Sequence, residues 1–381
     1  MNRADLHGTL LRELEDPFNG RTAASIIDLA DGSEILGYNE HSQRLLASVT
    51  KIFSVGAILE SLGPSATVVT EIMADTEPDD HGIVDGDLYI VGHGDPTIAS
   101  SEFIDSTFHG RGTPFERFVN VALDAGVRRI NGGVVGDGTF FSATTDTNIG
   151  RSALSVEHSR SAHPAYAAAQ HLRESFVNAG IEIAGPAREG SADPERAISI
   201  GKVDSPPMID MLTTAGHDSD NRVMEALTTV AALQTGDSSS PRGGSAEFIT
   251  QHAERFGAAI EVVNASGLGP ANFASPADVT RYLASVTESD FLTDLVRALP
   301  RAGHEGTLRS RMRNTVASQS VRAKTGTLTK ARRPILDALA GYVFGAHRSV
   351  GFSIVYEEPE ARYASKSSID RVTESLAHFC R

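Results

Sequence analysis

Ser48-Val49-Thr50-Lys51 places a hydroxyl and an amine three residues apart, and on a helix residues at that spacing share a face. A serine hydroxyl attacks a carbonyl effectively only when a base removes its proton. Lysine can be that base as an uncharged amine, which requires its pKa to fall from about 10.4 toward 7, roughly 4 to 5 kcal/mol against the charged form. Burial and a neighbouring cation both act in that direction. A helix N-terminus adds backbone N–H groups aimed at any oxyanion formed there. The plain alternative is that Ser48 caps the helix and Lys51 stands at chance spacing. Lysine usage bears on the choice. Of 34 lysines and arginines only five are lysine: Lys51, Lys202, Lys324, Lys330 and Lys366. Arginine does not deprotonate, so a chain this rich in arginine keeps lysine where any cation serves or where only lysine works.

Two further clusters offer related chemistry. Ser219-Asp220-Asn221 sets a hydroxyl and a carboxamide two residues apart, just ahead of a helical pattern. Both can face one cleft if the backbone turns there, although Ser, Asp and Asn are also the preferred helix caps. Lys324-Thr325-Gly326-Thr327 lies in an apolar strand, residues 321–328. Alternation puts Lys324 and Gly326 on one face and Thr325 and Thr327 on the other. A glycine within a strand often marks close approach by a ligand or another backbone. A lysine with threonines suits an anionic carboxylate; the plain alternative is a solvated edge lysine. Each cluster alone is weak. In this order, on helix, loop and late strand, the three read as one catalytic set.

The elements around them give the architecture. Leu6, Leu10, Leu11 and Leu14 recur at helical spacing over 5–15, and two short apolar runs, 23–29 and 34–38, flank Asp31-Gly32-Ser33 as a hairpin. Residues 48–62 predict a helix with Ile52, Phe53, Val55, Ile58, Leu59 and Leu62 as its buried stripe, stopped by Gly63-Pro64. From about Thr67 to Val203 short strand-like runs, such as 87–91 and 133–136, alternate with Gly, Asp and Ser clusters, and a helical segment covers 165–178. Helical patterns resume at 208–214 and 221–234, and residues 237–244 read as a loop. Strands at 321–328, 338–344 and 349–356 precede a last helix over 366–379. The expected fold is α+β: an antiparallel sheet with helices on both sides, built from residues 1–66 and 204–381, plus an inserted, mostly β domain over 67–203.

Composition narrows the function. A formal net charge of −15 argues against a general nucleic-acid binder. No run reaches the 18 or so apolar residues of a transmembrane helix, and the first six residues lack the apolar core of a secretory leader. Cys380 is the one cysteine, so no intramolecular disulfide can form. Thirteen histidines form no His-Glu-x-x-His, and no Cys/His cluster is present, so no metal is expected. Gly92-His93-Gly94-Asp95 reads as a turn rather than a phosphate cradle, because no helix signal follows it. His217 reads as a loop residue in preference to a second base.

S-x-x-K, S-D-N and K-T-G together are the signature of serine β-lactamases and penicillin-binding proteins. The chain resembles the D-alanyl-D-alanine carboxypeptidase/endopeptidase family, the class C low-molecular-mass penicillin-binding proteins. Gly86-Asp87-Leu88-Tyr89-Ile90-Val91-Gly92-His93-Gly94-Asp95-Pro96-Thr97 and Asn131-Gly132-Gly133-Val134-Val135-Gly136-Asp137 are similar to segments of that family's insertion. Ala265-Ser266-Gly267-Leu268-Gly269 and Gly306-Thr307-Leu308 resemble further segments. The resemblance implies an acyl-enzyme at Ser48, with Lys51 taking its proton. It implies that Ser219 relays a proton to the leaving amine and that Asn221 holds the substrate amide. Lys324 would keep the site positive and depress Lys51, while Thr325 and Thr327, around Gly326, would bind a terminal carboxylate. The N–H groups of Ser48 and Thr327 would form the oxyanion hole. The implied partners are a peptidoglycan stem peptide or another D-amino-acid peptide, with β-lactams as covalent inhibitors and no cofactor.

The chain departs from the family at several points. Leu46 stands where proline is usual, the insertion looks shortened near 141–153, and the turn after Thr327 is longer and carries Lys330, Arg332 and Arg333. The compartment stays open: extracytoplasmic by the resemblance, cytoplasmic if there is no leader. The competing readings are an S-x-x-K amidase, esterase or acyltransferase on a non-peptidoglycan substrate, a β-lactamase, and a non-catalytic scaffold. No Glu-x-x-Leu-Asn segment supplies the separate deacylating base of class A β-lactamases, and an intact set of five polar side chains speaks against a scaffold.

Overall fold

The computed structural model describes residues 3–14, 21–141, 152–235, 244–330, 333–357 and 366–381. The expected shortening near 141–153, most of the 237–244 loop and Arg332 therefore lie wholly or partly outside the described residues. The chain divides into two compact units, one of Met1–Gly63, Ala215–Met224 and Ser245–Arg381, the other of Pro64–Thr214 and Glu225–Gly244.

The first unit is built on a five-stranded antiparallel sheet in the order Val321–Lys330, Arg333–Phe344, Ser349–Glu357, Arg21–Asp28, Glu34–Tyr38. The two chain ends thus pair directly, with Ser25 opposite Ser353 and Ile26 opposite Phe352. Period-two alternation splits the sheet's side chains between two helical layers. On one face Ile26, Leu339, Val343 and Phe352 form a core with Leu6, Leu10 and Leu14 of the helix Arg3–Leu14 and with Ile369, Val372 and Leu376 of the helix Lys366–Cys380. Each such aliphatic side chain taken from water contributes about 1.5–3 kcal/mol. On the other face Ser25 meets Thr280 at 2.7 Å and the Tyr342 hydroxyl donates to the Leu283 carbonyl at 3.0 Å, both on the helix Pro276–Ser285. Lys324 lies opposite Ala340, which lies opposite Ser353, so it belongs to this second face.

The helix Lys51–Leu62 is more deeply set than a stripe. Every residue from Lys51 to Leu59 is buried, and only the last turn reaches solvent. Apolar residues on all sides make it a central core helix. It also buries Ser54, whose hydroxyl is satisfied at 2.7 Å by the Ala265 carbonyl.

The second unit holds a mixed sheet in the order Ala187–Glu189, Val134–Asp137, Leu88–Gly92, Val69–Ala74, Ile198–Asp204. Val134–Asp137 runs parallel to both neighbours and the remaining pairs are antiparallel. The strands expected at 87–91 and 133–136 are both present, as is the helix Pro164–Asn178. Two further helices, Ser101–Thr107 and Phe115–Asp124, lie where the sequence reads as strand-like texture. In the second of these Phe115, Phe118, Val119 and Ala122 are buried. That i, i+3, i+4, i+7 spacing is helical, and the surrounding glycine and aspartate clusters hide it. Gly92-His93-Gly94-Asp95 is a bend after a strand, and Asp95 is buried, accepting from Thr97 and Thr113. No described helix is long and apolar enough to cross a membrane.

Candidate active site

Ala47 has φ 45°, a left-handed value that costs a residue with a Cβ about 1 kcal/mol or more. The chain then makes one tight 3-10 turn, Ala47–Thr50, before the α-helix begins at Lys51. Side chains three apart eclipse in a 3-10 turn, and Lys51 Nζ comes to 3.1 Å from Ser48 Oγ. Ser48 is not a helix cap: neither the turn nor the helix has a side-chain cap.

Fixed oxygens hold Lys51 in place. Besides Ser48 it donates to Asn221 Oδ1 at 2.7 Å and to the carbonyl of Ser266 at 2.7 Å, and its side chain is fully buried. The Ser266 carbonyl escaped the sequence reading. A backbone oxygen leaves no mark in residue type, and the only signal was the small-residue run Ala265-Ser266-Gly267.

Ser219-Asp220-Asn221 divides its work. Asp220 is the helix cap, its Oδ1 accepting from the N–H groups of Arg222 at 2.8 Å and Val223 at 3.1 Å. Capping fixes the first residue of the helix Asn221–Gln234, and that residue reaches Lys51. The cap reading therefore holds for Asp220, and the neighbouring Asn221 is placed against Lys51. Ser219 sits in the preceding turn at φ 61°, half-buried, with no hydrogen bond recorded from its hydroxyl to another described residue. His217 ends the helix Met208–His217, with Nε2 at 3.1 Å from the Arg297 carbonyl and a carboxylate oxygen of Glu305 at 3.6 Å. It is therefore the last residue of a helix, where the sequence reads a loop.

Lys324 is fully buried, and its Nζ donates to the Thr325 carbonyl at 3.1 Å. Burial pushes its pKa well below the ordinary lysine value, the charge of Lys51 lowers it further, and Asp218 opposes both. Two buried amines that repel each other favour carrying one proton between them. Gly326 faces the same way as Lys324. A Cβ there would meet the Leu46 carbonyl at 2.8 Å and Ala47 Cβ at 3.4 Å, so only glycine lets the strand close on the turn that carries Ser48. Thr325 donates to Thr307 Oγ1 at 2.9 Å, and Thr327, exposed, donates to Asp337 at 3.0 Å. Thr307 and Asp337 went unremarked as partners of the two threonines. Lys330 ends the strand exposed. Leu46, standing where proline was expected, donates its N–H to the Asn272 carbonyl at 2.9 Å, a bond proline could not make. Among the described residues no three His, Cys, Asp or Glu side chains gather as a metal site.

The sequence profile of the D-Ala-D-Ala carboxypeptidase 3 (S13) family matches residues 6–151 and 148–376. The chain belongs to that family. It is 24% identical to a D-alanyl-D-alanine carboxypeptidase of an Actinomadura strain, over 92% of this chain and 82% of that protein. A carboxypeptidase of Mycobacterium tuberculosis is 26% identical over 82% of this chain and 72% of its own length. Among solved structures, penicillin-binding protein 4 of Haemophilus influenzae superposes with a TM-score of 0.75 at 17% identity, covering 100% of this chain and 99% of that one. A predatory peptidoglycan endopeptidase of Bdellovibrio bacteriovorus gives 0.63 at 15% identity, over 95% and 93%. At these identities the structures speak for the shared fold, an α+β architecture, and the S13 profile speaks for the family.

Proposed function

We propose that this S13 chain is a serine DD-peptidase that cleaves D-Ala-D-Ala or a related D-centred peptide bond through an acyl-enzyme at Ser48. The observation that carries the reading is Lys51 Nζ, buried and held at 3.1 Å from Ser48 Oγ by two fixed oxygens. Uncharged Lys51 takes the Ser48 proton as Oγ attacks the substrate carbonyl. The N–H groups of Ser48 and Thr327 receive the oxyanion. Lys51 hands that proton through the Ser219 hydroxyl to the departing D-alanine nitrogen as the C–N bond breaks, leaving an ester on Ser48 and Lys51 uncharged again. Water, deprotonated by the same lysine, then adds to that ester and releases the acid. Asn221 holds both Lys51 and the substrate amide.

Lys324, with Thr325 and Thr327, forms the carboxylate end of the site, and Gly326 keeps that strand against the nucleophile's turn. The Thr325 and Thr327 hydroxyls must turn from Thr307 and Asp337 to donate to a bound carboxylate. Residues 67–203, which lie within the unit of Pro64–Thr214 and Glu225–Gly244, are taken as the inserted domain, and a peptidoglycan stem peptide as the substrate. The named relatives favour this: two are carboxypeptidases, and one Bdellovibrio endopeptidase structure is acylated by penicillin G. β-Lactams are accordingly expected to acylate Ser48. The test is release of D-alanine from a peptide ending in D-Ala-D-Ala. Wild type should release it and Ser48→Ala should not; equal release by both would overturn the assignment.

A further inference from the structure

As an ammonium, Lys51 carries three protons and meets three acceptors: Ser48 Oγ, Asn221 Oδ1 and the Ser266 carbonyl. As an amine it has two protons and one lone pair. The Asn221 and Ser266 oxygens can only accept, whereas the Ser48 hydroxyl can donate. The two carbonyl oxygens therefore take both amine protons, and the lone pair is left pointing at Ser48. Two rigid acceptors turn a freely rotating amine into a directed base. Asn221 is already part of the catalytic set. The Ser266 oxygen depends on how its own turn is held.

That turn is closed by Asn264. Its Nδ2 donates to the Leu268 carbonyl at 2.9 Å and its Oδ1 accepts from the Leu268 N–H at 2.9 Å, so one buried carboxamide spans the turn from both ends. Inside the loop Gly267 has φ +74°, and a Cβ there would lie 1.8 Å from the Ala47 carbonyl. The turn is thus pressed against the backbone of the nucleophile. A second carboxamide ties the two together: Asn272 Nδ2 donates to the Asn264 carbonyl at 2.7 Å and to Thr50 Oγ1 at 3.0 Å. Thr50 Oγ1 in turn donates to the Ala47 carbonyl at 2.8 Å. Ser54 fixes the Ala265 carbonyl from the helix side. Asn272 and Ser54 thus tie the 264–268 turn to residues within one helical turn of Ser48 or Lys51.

We propose that Asn264 is a positioning residue for acylation, holding the Ser266 carbonyl where it commits a Lys51 proton and leaves the lone pair on Ser48. The proposal rests on the serine-acylation reading above. Lys324 is a charged group beside Lys51, and Asp218, exposed, acts on Lys324; Asn264→Ala alters neither. The sign of the effect follows from charge. A carbonyl binds an ammonium more strongly than an amine, so displacing the Ser266 oxygen favours the amine. More of the free base is then present at a given pH, yet it points less well.

The experiment measures the second-order rate of acylation by a fluorescent penicillin across the pH range for wild type and Asn264→Ala. The expected result is a plateau lower by about tenfold to a hundredfold, together with an acidic limb moved to lower pH. A merely structural weakening lowers the plateau and leaves the limb where it was, and that result would overturn the proposal. If Asn264→Ala does not fold, Ser54→Ala decides in the same way, with a smaller change in the same directions. Wild type that takes no label at all would instead remove the acylation reading, an outcome separate from any result with the variants.

Discussion

Lys324 is the side chain with the most to lose from its position: fully buried, hydrogen-bonded to a carbonyl, and next to a second amine. An unfolded lysine titrates near 10.4, and the folded value lies well below that because burial and then Lys51 penalise the charge. Between those two values the unfolded chain holds a proton that the folded one has released, so stability rises with pH across that window. Below it the cost is constant. Lys324→Met keeps the volume and removes the charge, so it should raise stability at neutral pH by on the order of 1 kcal/mol or more and flatten the alkaline rise. Thermal unfolding across pH measures both. The same substitution removes the cation beside Lys51, so the acidic limb of the acylation profile should move to higher pH. A variant that is less stable, or whose limb stays in place, would show that this charge is not what sets the site.

At the scale of elements, the site is a contact between a turn, a helix end and a strand, and Gly326 is where strand and turn touch. Gly326→Val adds branched carbons against the Leu46 carbonyl and should push the strand off the turn. Acylation should fall by a hundredfold or more on the order expected for misplaced catalytic groups, alongside a lower melting temperature. Labelling at the wild-type rate would mean the approach does not matter. The same contact shows what a sequence can and cannot reveal. Residue types and order exposed Ser48, Lys51, Asn221, Lys324 and the reason for Gly326, because each needs a particular side chain or none. The 3-10 turn, the left-handed Ala47 and the Ser266 carbonyl are backbone properties that many side chains would permit, so they stayed hidden. The helix Phe115–Asp124 was missed for a different reason: its apolar period is short and sits among turn-forming residues.

On the scale of the whole chain, the three clusters are far apart in sequence yet fall in one compact unit, at Ser48, Ala215–Met224 and the strand Val321–Lys330. The sheet makes this possible by pairing Arg21–Asp28 with Ser349–Glu357, so that early and late segments share one frame across the long stretch between them. Order along the chain was therefore readable as a unit of function, whereas two divisions between the units, at 214/215 and 224/225, fall inside the helices Met208–His217 and Asn221–Gln234, where residue types leave no mark. The most direct test of the account is the intact mass of the full chain after exposure to penicillin, followed by a digest that locates the adduct. One penicillin per chain on the peptide containing Ser48, released slowly and absent from Ser48→Ala, is the predicted result. No adduct at high penicillin concentration, an adduct on another residue, or rapid hydrolysis of the drug would contradict it.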